Sequence, residues 1–494
     1  MSVCSYQDNS FLSRGRVDNG NNPYYYLPVD FIFSRTRPIF WNQGGGMAEQ
    51  FDLVVANGLL TYPEKTILGD IGIRDGKIAK IGKAGKLKGK ERLDANGNYV
   101  LPGVIDPHTH PVYMDSIEDL AITAAWGGVT TVCHYAYAKP GQSQLKVIQD
   151  WKREGNETSC IDFALHGGLF ETIKQAEEIP ACFEEGVTSF KMFMAYAKLG
   201  WMTDDYALTK AFDIIGREGG MACIHAENGL AIDYIQDKLL AEHADFAERF
   251  LETSPDLAEA EGVFRAAYLG ALMGCPVYIP HVSSRETIDV LIFLKERGMH
   301  VYAETCPQYL ALTWNELKHL GPLGKVGPAI KTKEDQDALW EGIQMGLFDS
   351  LGSDHAPKDK KVEDDFFKAP YGSPQVETML PVVWNEGVNK GRITPNQLVQ
   401  LFSERTAEIL GLYPQKGRLD VGSDADMVIF DPREEWTIAH ANQHSKVNYC
   451  LYEGKKVLGR VKTVISRGTT VVHEGEFRGN RKHGKFLPTK AGKV

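Results

Sequence analysis

The chain of 494 residues is 43% hydrophobic and 24% charged, enough for a sizeable core and too ordinary a balance for a disordered or fibrous protein. Its 54 Lys and Arg against 65 Asp and Glu leave a net charge of −11, which argues against nucleic-acid or anionic-membrane binding, since both need clustered cations. No apolar run approaches the ~18 residues of a membrane span. The eight cysteines are scattered without a CxxC pair, which points to a reducing compartment, the cytoplasm, and not to a disulfide framework.

Residues 1–46 mix Asn, Ser, Arg and Tyr without period and end in Gly44-Gly45-Gly46, so they read as an extension outside the core. From Phe51 the pattern is β. Asp70 to Arg74 alternates and meets Lys77 to Ile81 across Asp75-Gly76, a strong hairpin signal, and Asn96-Gly97 supplies another turn. The same texture returns in Asp426–Phe430 and in Val461–Val472, which turns at Arg467-Gly468. Two β-rich ends around a long middle predict one small β-sandwich domain assembled from residues 47–102 and 417–475, with 476–494 as a solvated basic tail. Between them, about 103–416, eight short apolar runs alternate with helical patterns: Tyr99–Ile105, Val129–Cys133, Ile161–Leu165, Thr188–Lys191, Met221–Ile224, Pro276–Ile279, His300–Ala303 and Ser350–Ser353. Strand–helix alternation implies parallel crossovers, and eight units close a (β/α)8 TIM-like barrel, an α/β fold.

The unusual polar residues fall where these runs end: Asp106-Pro107-His108-Thr109-His110, Phe190-Lys191-Met192, Ile224-His225-Ala226-Glu227, Ile279-Pro280-His281 and Gly352-Ser353-Asp354-His355. In a parallel barrel all strand C-terminal ends share one face, where active sites form. His108 and His110, two apart on a strand, leave the same side. Imidazoles and carboxylates are ordinary ligands of zinc and similar divalent ions. Four histidines and Asp354 exceed the needs of one tetrahedral ion and suit two if something bridges them. Lys191 is the candidate, because a neutral amine that adds carbon dioxide becomes a carbamate with two oxygens. Each residue alone has an ordinary structural explanation. Their joint occurrence at strand ends, in barrel order, predicts a metal site. His134, His166, His243, His300, His319, His440, His444, His473 and His483 take the structural explanation, and His355, beside Asp354, stands between the two.

These segments, together with Met192 to Tyr196, Glu304-Thr305-Cys306-Pro307-Gln308-Tyr309-Leu310 and Ser353-Asp354-His355-Ala356-Pro357, resemble the amidohydrolase superfamily, and within it the cyclic amidohydrolases, the hydantoinases and dihydropyrimidinases. The likeness runs over about residues 51–487, with His444-Ser445-Lys446-Val447 and Gly484-Lys485-Phe486-Leu487 similar to the family's C-terminal patterns. It implies a hydrolase with two divalent ions, usually zinc, that opens the ring amide bond of a small cyclic amide, ureide or imide. By this resemblance His108, His110 and Asp354 hold one ion, His225 and His281 the other, and carbamylated Lys191 bridges them. Asp354 moves the proton from the attacking water to the leaving nitrogen, Tyr196 stabilises the oxyanion, and Tyr196, Gly327 and Tyr371 surround the substrate ring. Homotetramers are usual among such proteins.

The departures concern substrate. Hydantoinases commonly carry a serine where Lys325-Val326-Gly327-Pro328-Ala329 has Gly327, and an asparagine near Pro370-Tyr371-Gly372, and Pro111-Val112-Tyr113-Met114 differs from their usual loop. An allantoinase- or dihydroorotase-type hydrolase is the neighbouring alternative, although no arginine occurs between His110 and Arg153 to take a substrate carboxylate in the dihydroorotase manner. A mononuclear deaminase on the same barrel needs no bridging lysine, and a non-catalytic scaffold of the collapsin-response-mediator type lacks a complete ligand set.

Overall fold

The computed structural model describes residues 50–492, so the extension expected at 1–46 lies outside the described residues. Eight parallel strands run in sequence order through one sheet: Val104–Thr109, Val129–Ala138, Asp162–Leu169, Ser189–Phe193, Met221–His225, Val277–Ile279, Val301–Thr305 and Ser350–Leu351. The ring closes beyond the last strand, where the His110 N–H donates to the His355 carbonyl at 3.0 Å and Thr109 bridges His355 in parallel. The strands are buried along their length, as expected for a sheet covered by helices on the outside and side chains within. Several of those helices open on a side-chain cap: Ser116, Ser143, Asp204, Asn228, Ser284 and Thr332 each accept from a backbone N–H of the first turn. Each such cap contributes about 1 kcal/mol.

The first apolar run divides between two sheets. Tyr99–Pro102 belongs to the small domain and Val104–Thr109 to the barrel, with Gly103 between them. A Cβ at Gly103 would lie 2.0 Å from the Thr130 hydroxyl, so the crossing point admits no side chain.

The small domain is a mixed sheet of nine strands drawn from both ends of the chain. Its two parts meet where Tyr99–Phe430 through Pro102–Met427 pair antiparallel. Asp75-Gly76, Asn96-Gly97 and Arg467-Gly468 all take positive φ at both residues, which is why Gly follows a tolerant residue at each turn.

Lys416 ties this domain to the base of the barrel. Its ammonium lies 2.6 Å from Asp162, 3.0 Å from Asp424 and 2.6 Å from Asp426, and all four side chains are buried. Arg467 adds a second cation to Asp162 at 3.0 Å. The three carboxylates could suit a metal, but a lysine already occupies the space between them. Lys416→Met is therefore expected to destabilise the protein by about 3–5 kcal/mol in denaturant unfolding, because it leaves buried acids unpaired.

The C-terminal tail corrects an expectation. Its basic side chains Arg478, Arg481, Lys482, Lys485 and Lys490 are exposed, but its backbone is docked on the barrel and is not a free end. Phe163 N–H donates to the Lys485 carbonyl at 3.0 Å, Leu487 N–H to Phe163 at 2.7 Å, and Ala491 N–H to the Thr188 hydroxyl at 2.8 Å. Apolar side chains set between the charges (Phe486, Leu487, Ala491) account for the docking, and a count of lysines overlooks them.

Candidate metal centre and substrate mouth

The C-terminal ends of the first, fourth, fifth, sixth and eighth strands bring His108, His110, Lys191, His225, His281 and Asp354 to one place. A continuous chain of ring contacts joins the four histidines to Tyr196. Centroids lie 5.0 Å apart for His110–His108, 5.4 Å for His108–His281, 4.6 Å for His281–His225 and 4.9 Å for His225–Tyr196. The Asp354 Oδ1 stands 3.2 Å from His108 Nε2 and 3.0 Å from His110 Nε2. One ligand atom from each of these three residues falls within 4.8 Å of the others, a spacing that can hold a metal ion. The histidines are almost wholly buried, whereas the Asp354 side chain keeps 14% of its surface exposed towards the mouth.

Lys191 is the least expected occupant. It is buried, its ammonium lies 5.0 Å from the centre of the Tyr135 ring and 5.3 Å from that of Phe193, and no ion pair reaches it among the described residues. Tyr135 is also 4.9 Å from His108 and 5.3 Å from His110, so the lysine shares a wall with two candidate ligands. Burial pushes its pKa down to about 8, with the Asp354 carboxylate opposing. Burial likewise holds the imidazoles of His108 and His281 well below the ordinary histidine value and His110 below it, which keeps them neutral as metal ligands must be. Burial raises Asp354, but the adjoining imidazoles of His108 and His110 pull its carboxyl below the usual carboxylate range.

Two acids behind the histidines carried no role in the sequence reading. Glu304, at the end of the seventh strand, lies 2.7 Å from His108 Nδ1, takes the Tyr278 hydroxyl at 2.5 Å and takes the His281 backbone N–H at 3.1 Å. Burial lifts its pKa to about 7. Glu227 sits 2.7 Å from His225 Nε2 and is steadied by the Ser254 hydroxyl at 2.8 Å. The Tyr137 hydroxyl is 3.2 Å from His110 Nδ1. In His108, His110 and His225, one ring nitrogen is thus engaged away from the centre and the other left to face it, the arrangement that fixes a ligand's tautomer. Asp106 accepts the N–H groups of His108 and Ser353 and so pins the first strand to the eighth. Glu227 stands two residues after His225, a spacing the sequence did offer. Glu304 is 196 residues from His108, and only the fold brings them together.

Three of the site residues, Tyr196, His281 and Asp354, have positive φ (64°, 46° and 51°). Such backbone costs about 1–3 kcal/mol per residue and gathers at functional sites. Tyr196 opens a turn that points its hydroxyl across the mouth. A Cβ built on Gly327 would lie 2.8 Å from that hydroxyl and 3.0 Å from the Tyr371 ring, and the Tyr196 and Tyr371 ring centres are 6.0 Å apart. Gly327, Tyr196 and Tyr371 therefore adjoin one another, and the two tyrosines occupy the space that a side chain at 327 would need.

The histidines read as structural do structural work where the bonds are described. His134 meets the Thr109 hydroxyl at 2.8 Å, and His166 spans Ser189 and the Pro107 carbonyl. His444 pairs with Glu377 at 2.8 Å and stacks on Trp126. His355 falls on the same side. Its Nε2 is 2.9 Å from Asp115, and its Nδ1 accepts from the Gln375 and Val376 N–H groups. It braces the loop beside Asp354 and points away from the centre.

Comparison with known proteins places the fold. The model of the amidohydrolase family matches residues 99–471. A D-hydantoinase of Ralstonia pickettii is 37% identical over 454 residues, covering 88% of this chain and 98% of its own. A dihydropyrimidinase of Rattus norvegicus is 32% identical over 469 residues, covering 90% of this chain and 89% of its own. A solved structure of a D-hydantoinase superposes with a TM-score of 0.86 at 36% identity, covering 90% of this chain and all of that one. The eight-stranded barrel is the fold it shares with that hydantoinase, and the chain belongs to the amidohydrolase family.

Proposed function

We propose that this protein is a metal-dependent hydrolase that opens the ring amide bond of a cyclic amide, ureide or imide, the reaction class of its hydantoinase and dihydropyrimidinase relatives. The observation that carries the proposal is the convergence of three ligand atoms from His108, His110 and Asp354 beside a buried Lys191 that has no ion pair among the described residues. In this reading His108, His110 and Asp354 would hold one ion, and His225 and His281 the second, most readily zinc given the imidazole and carboxylate donors. Lys191 would serve both ions as a carbamate: its neutral amine would bond to the carbon of CO2 and lose a proton, which would put an anion where an isolated buried cation stands. When bound, the ions supply Lewis-acid polarisation and lower the pKa of water towards about 7.

The chain's own groups do the rest. Asp354 accepts the proton of the attacking water as the new C–O bond forms, and returns it to the ring nitrogen as the C–N bond breaks. The Tyr196 hydroxyl donates to the oxygen on which negative charge develops. Burial raises the Tyr196 pKa, so the phenol stays protonated and able to donate. Gly327 and Tyr371 border the ring. Glu304→Gln keeps the shape but removes the charge behind His108, and is expected to weaken metal affinity about 10- to 100-fold in a chelator titration.

The deciding experiment assays hydantoins, dihydrouracil, allantoin, dihydroorotate and cyclic imides with zinc or manganese, alongside metal analysis. Ring opening with about two ions per chain is expected. One ion with deamination would favour a mononuclear deaminase, and no ion would favour a scaffold. The same reading includes a homo-oligomer, a tetramer by resemblance. It is supported by apolar side chains left exposed on helices Gly229–Ala241 (Leu230, Tyr234) and Asp256–Leu272 (Leu257, Phe264, Tyr268, Leu272). Among the described residues no helix is long and apolar enough to cross a membrane. Seven described cysteines are free and buried, which supports placement in the cytoplasm.

A further inference from the structure

Among the described residues, the ammonium of Lys358 at the mouth has no hydrogen-bond or ion-pair partner. Lys358 lies four residues past Asp354, in a segment tied down on both sides. Met114 N–H donates to the Pro357 carbonyl at 3.3 Å, and Ala356 N–H donates to the Ser373 carbonyl at 3.0 Å. Its ammonium is 2.6 Å from the centre of the Tyr113 ring, and a Cβ on Gly372, beside Tyr371, would lie 3.2 Å from its Cε. Tyr113 in turn faces His110 across 6.3 Å between ring centres. Lys358 thus stands between the 111–114 loop and the Tyr371 segment, on the rim of the site.

Among the described residues no carboxylate, carbonyl or hydroxyl receives a hydrogen bond from its ammonium, although the side chain is only half-exposed. The neighbouring lysines show how this fold treats cations it intends to bury. Lys325 donates to the carbonyls of Phe366, Phe367 and Ala369, and Lys360 to those of Leu323 and Lys325. Lys358 is left without such a cage. Burial lowers its pKa to about 7, and the opposing charge is Asp354, which the ligand role commits elsewhere. A partly desolvated ammonium over an aromatic face, open on one side, is completed by an anion arriving from the mouth.

We propose that Lys358 is a specificity residue that pairs with a carboxylate carried on the substrate ring, so that the favoured substrates are acidic cyclic ureides or amides and not purely apolar-substituted ones. The inference rests on the ring-hydrolase reading. It also suits a mouth in which the Tyr113 loop differs from the usual hydantoinase loop.

The test uses ring pairs that differ chiefly in the acid: dihydroorotate against dihydrouracil, and hydantoin-5-acetate against 5-ethylhydantoin. The metal-loaded full chain, Lys358→Met and Lys358→Arg are compared. In Lys358→Met the ratio of kcat/KM for the acidic ring to that for its neutral counterpart is expected to fall about 10- to 100-fold, chiefly through KM, and Lys358→Arg recovers most of it. An unchanged ratio overturns the proposal. So does an equal loss for both rings, which would mean that Lys358 only packs the loop or serves the carboxylate that every ring yields on opening. Where no ring is turned over, the hydrolase reading fails and calorimetric binding of the same pairs judges Lys358 by itself: a preference for the acidic ring that Lys358→Met abolishes supports the pairing, and equal binding overturns it.

Discussion

Lys191→Ala is expected to abolish turnover and strip metal from the protein together. The loss should exceed about 100-fold, the upper range reached when only the partner behind a metal ligand is removed. The reason lies in where the lysine sits. An ammonium enclosed by Tyr135 and Phe193, with no ion pair among the described residues, carries a desolvation cost that the two ring faces only partly offset. A protein can relieve that cost by neutralising the amine, and burial does lower its pKa to about 8. Once neutral the amine is a nucleophile for CO2, and the resulting anion suits a space bordered by four imidazoles. The measurements are metal content, turnover on the best ring of the substrate panel, and native mass of the wild type, which should carry the mass of one bound CO2 that the alanine variant lacks. Near-ultraviolet circular dichroism checks that the barrel survives. Full activity with intact metal in Lys191→Ala would refute the bridging role.

The features legible in the sequence were those encoded locally or by periodic placement. Asp75-Gly76 and Arg467-Gly468 announce their turns because their positive φ restricts which residues fit. The strand-end histidines were readable because a parallel barrel gathers its C-terminal ends, so position along each run predicts position in space. The tertiary pairings were hidden. Nothing near Glu304 shows that it meets His108, and nothing near Lys416 shows that three distant aspartates surround it. The run Tyr99–Ile105 looked like one strand because hydrophobicity does not mark a change of sheet, and Gly103 alone signals the crossing. The tail was misread for a related reason, since its charges mask the small apolar set by which it docks. Nothing in the sequence marks Lys358, and what distinguishes it is that, among the described residues, its ammonium lacks the carbonyl cage given to Lys325 and Lys360.

Asp354→Asn should leave the fold intact while turnover falls about 100- to 10,000-fold, the usual contribution of a positioned acid–base group. The fold survives because asparagine tolerates the left-handed backbone, here φ 51°, as well as aspartate does. The amide oxygen can also still stand near His108 and His110. What is lost is the proton acceptor, since a neutral amide cannot take a proton from water and pass it to the ring nitrogen. The two effects separate cleanly in measurement. Thermal unfolding of the metal-loaded variant should stay within a few degrees of the wild type, and KM for a good substrate should move far less than kcat, because the proposed mechanism has Asp354 act on the reacting proton more than on the resting ring. Glu304→Gln, in contrast, should lower occupancy of the site while leaving kcat of the loaded fraction largely in place. Near-normal kcat in Asp354→Asn would remove Asp354 from proton transfer and move that role to another group at the mouth, and the Tyr196 hydroxyl, held protonated by burial, is poorly suited to accept it.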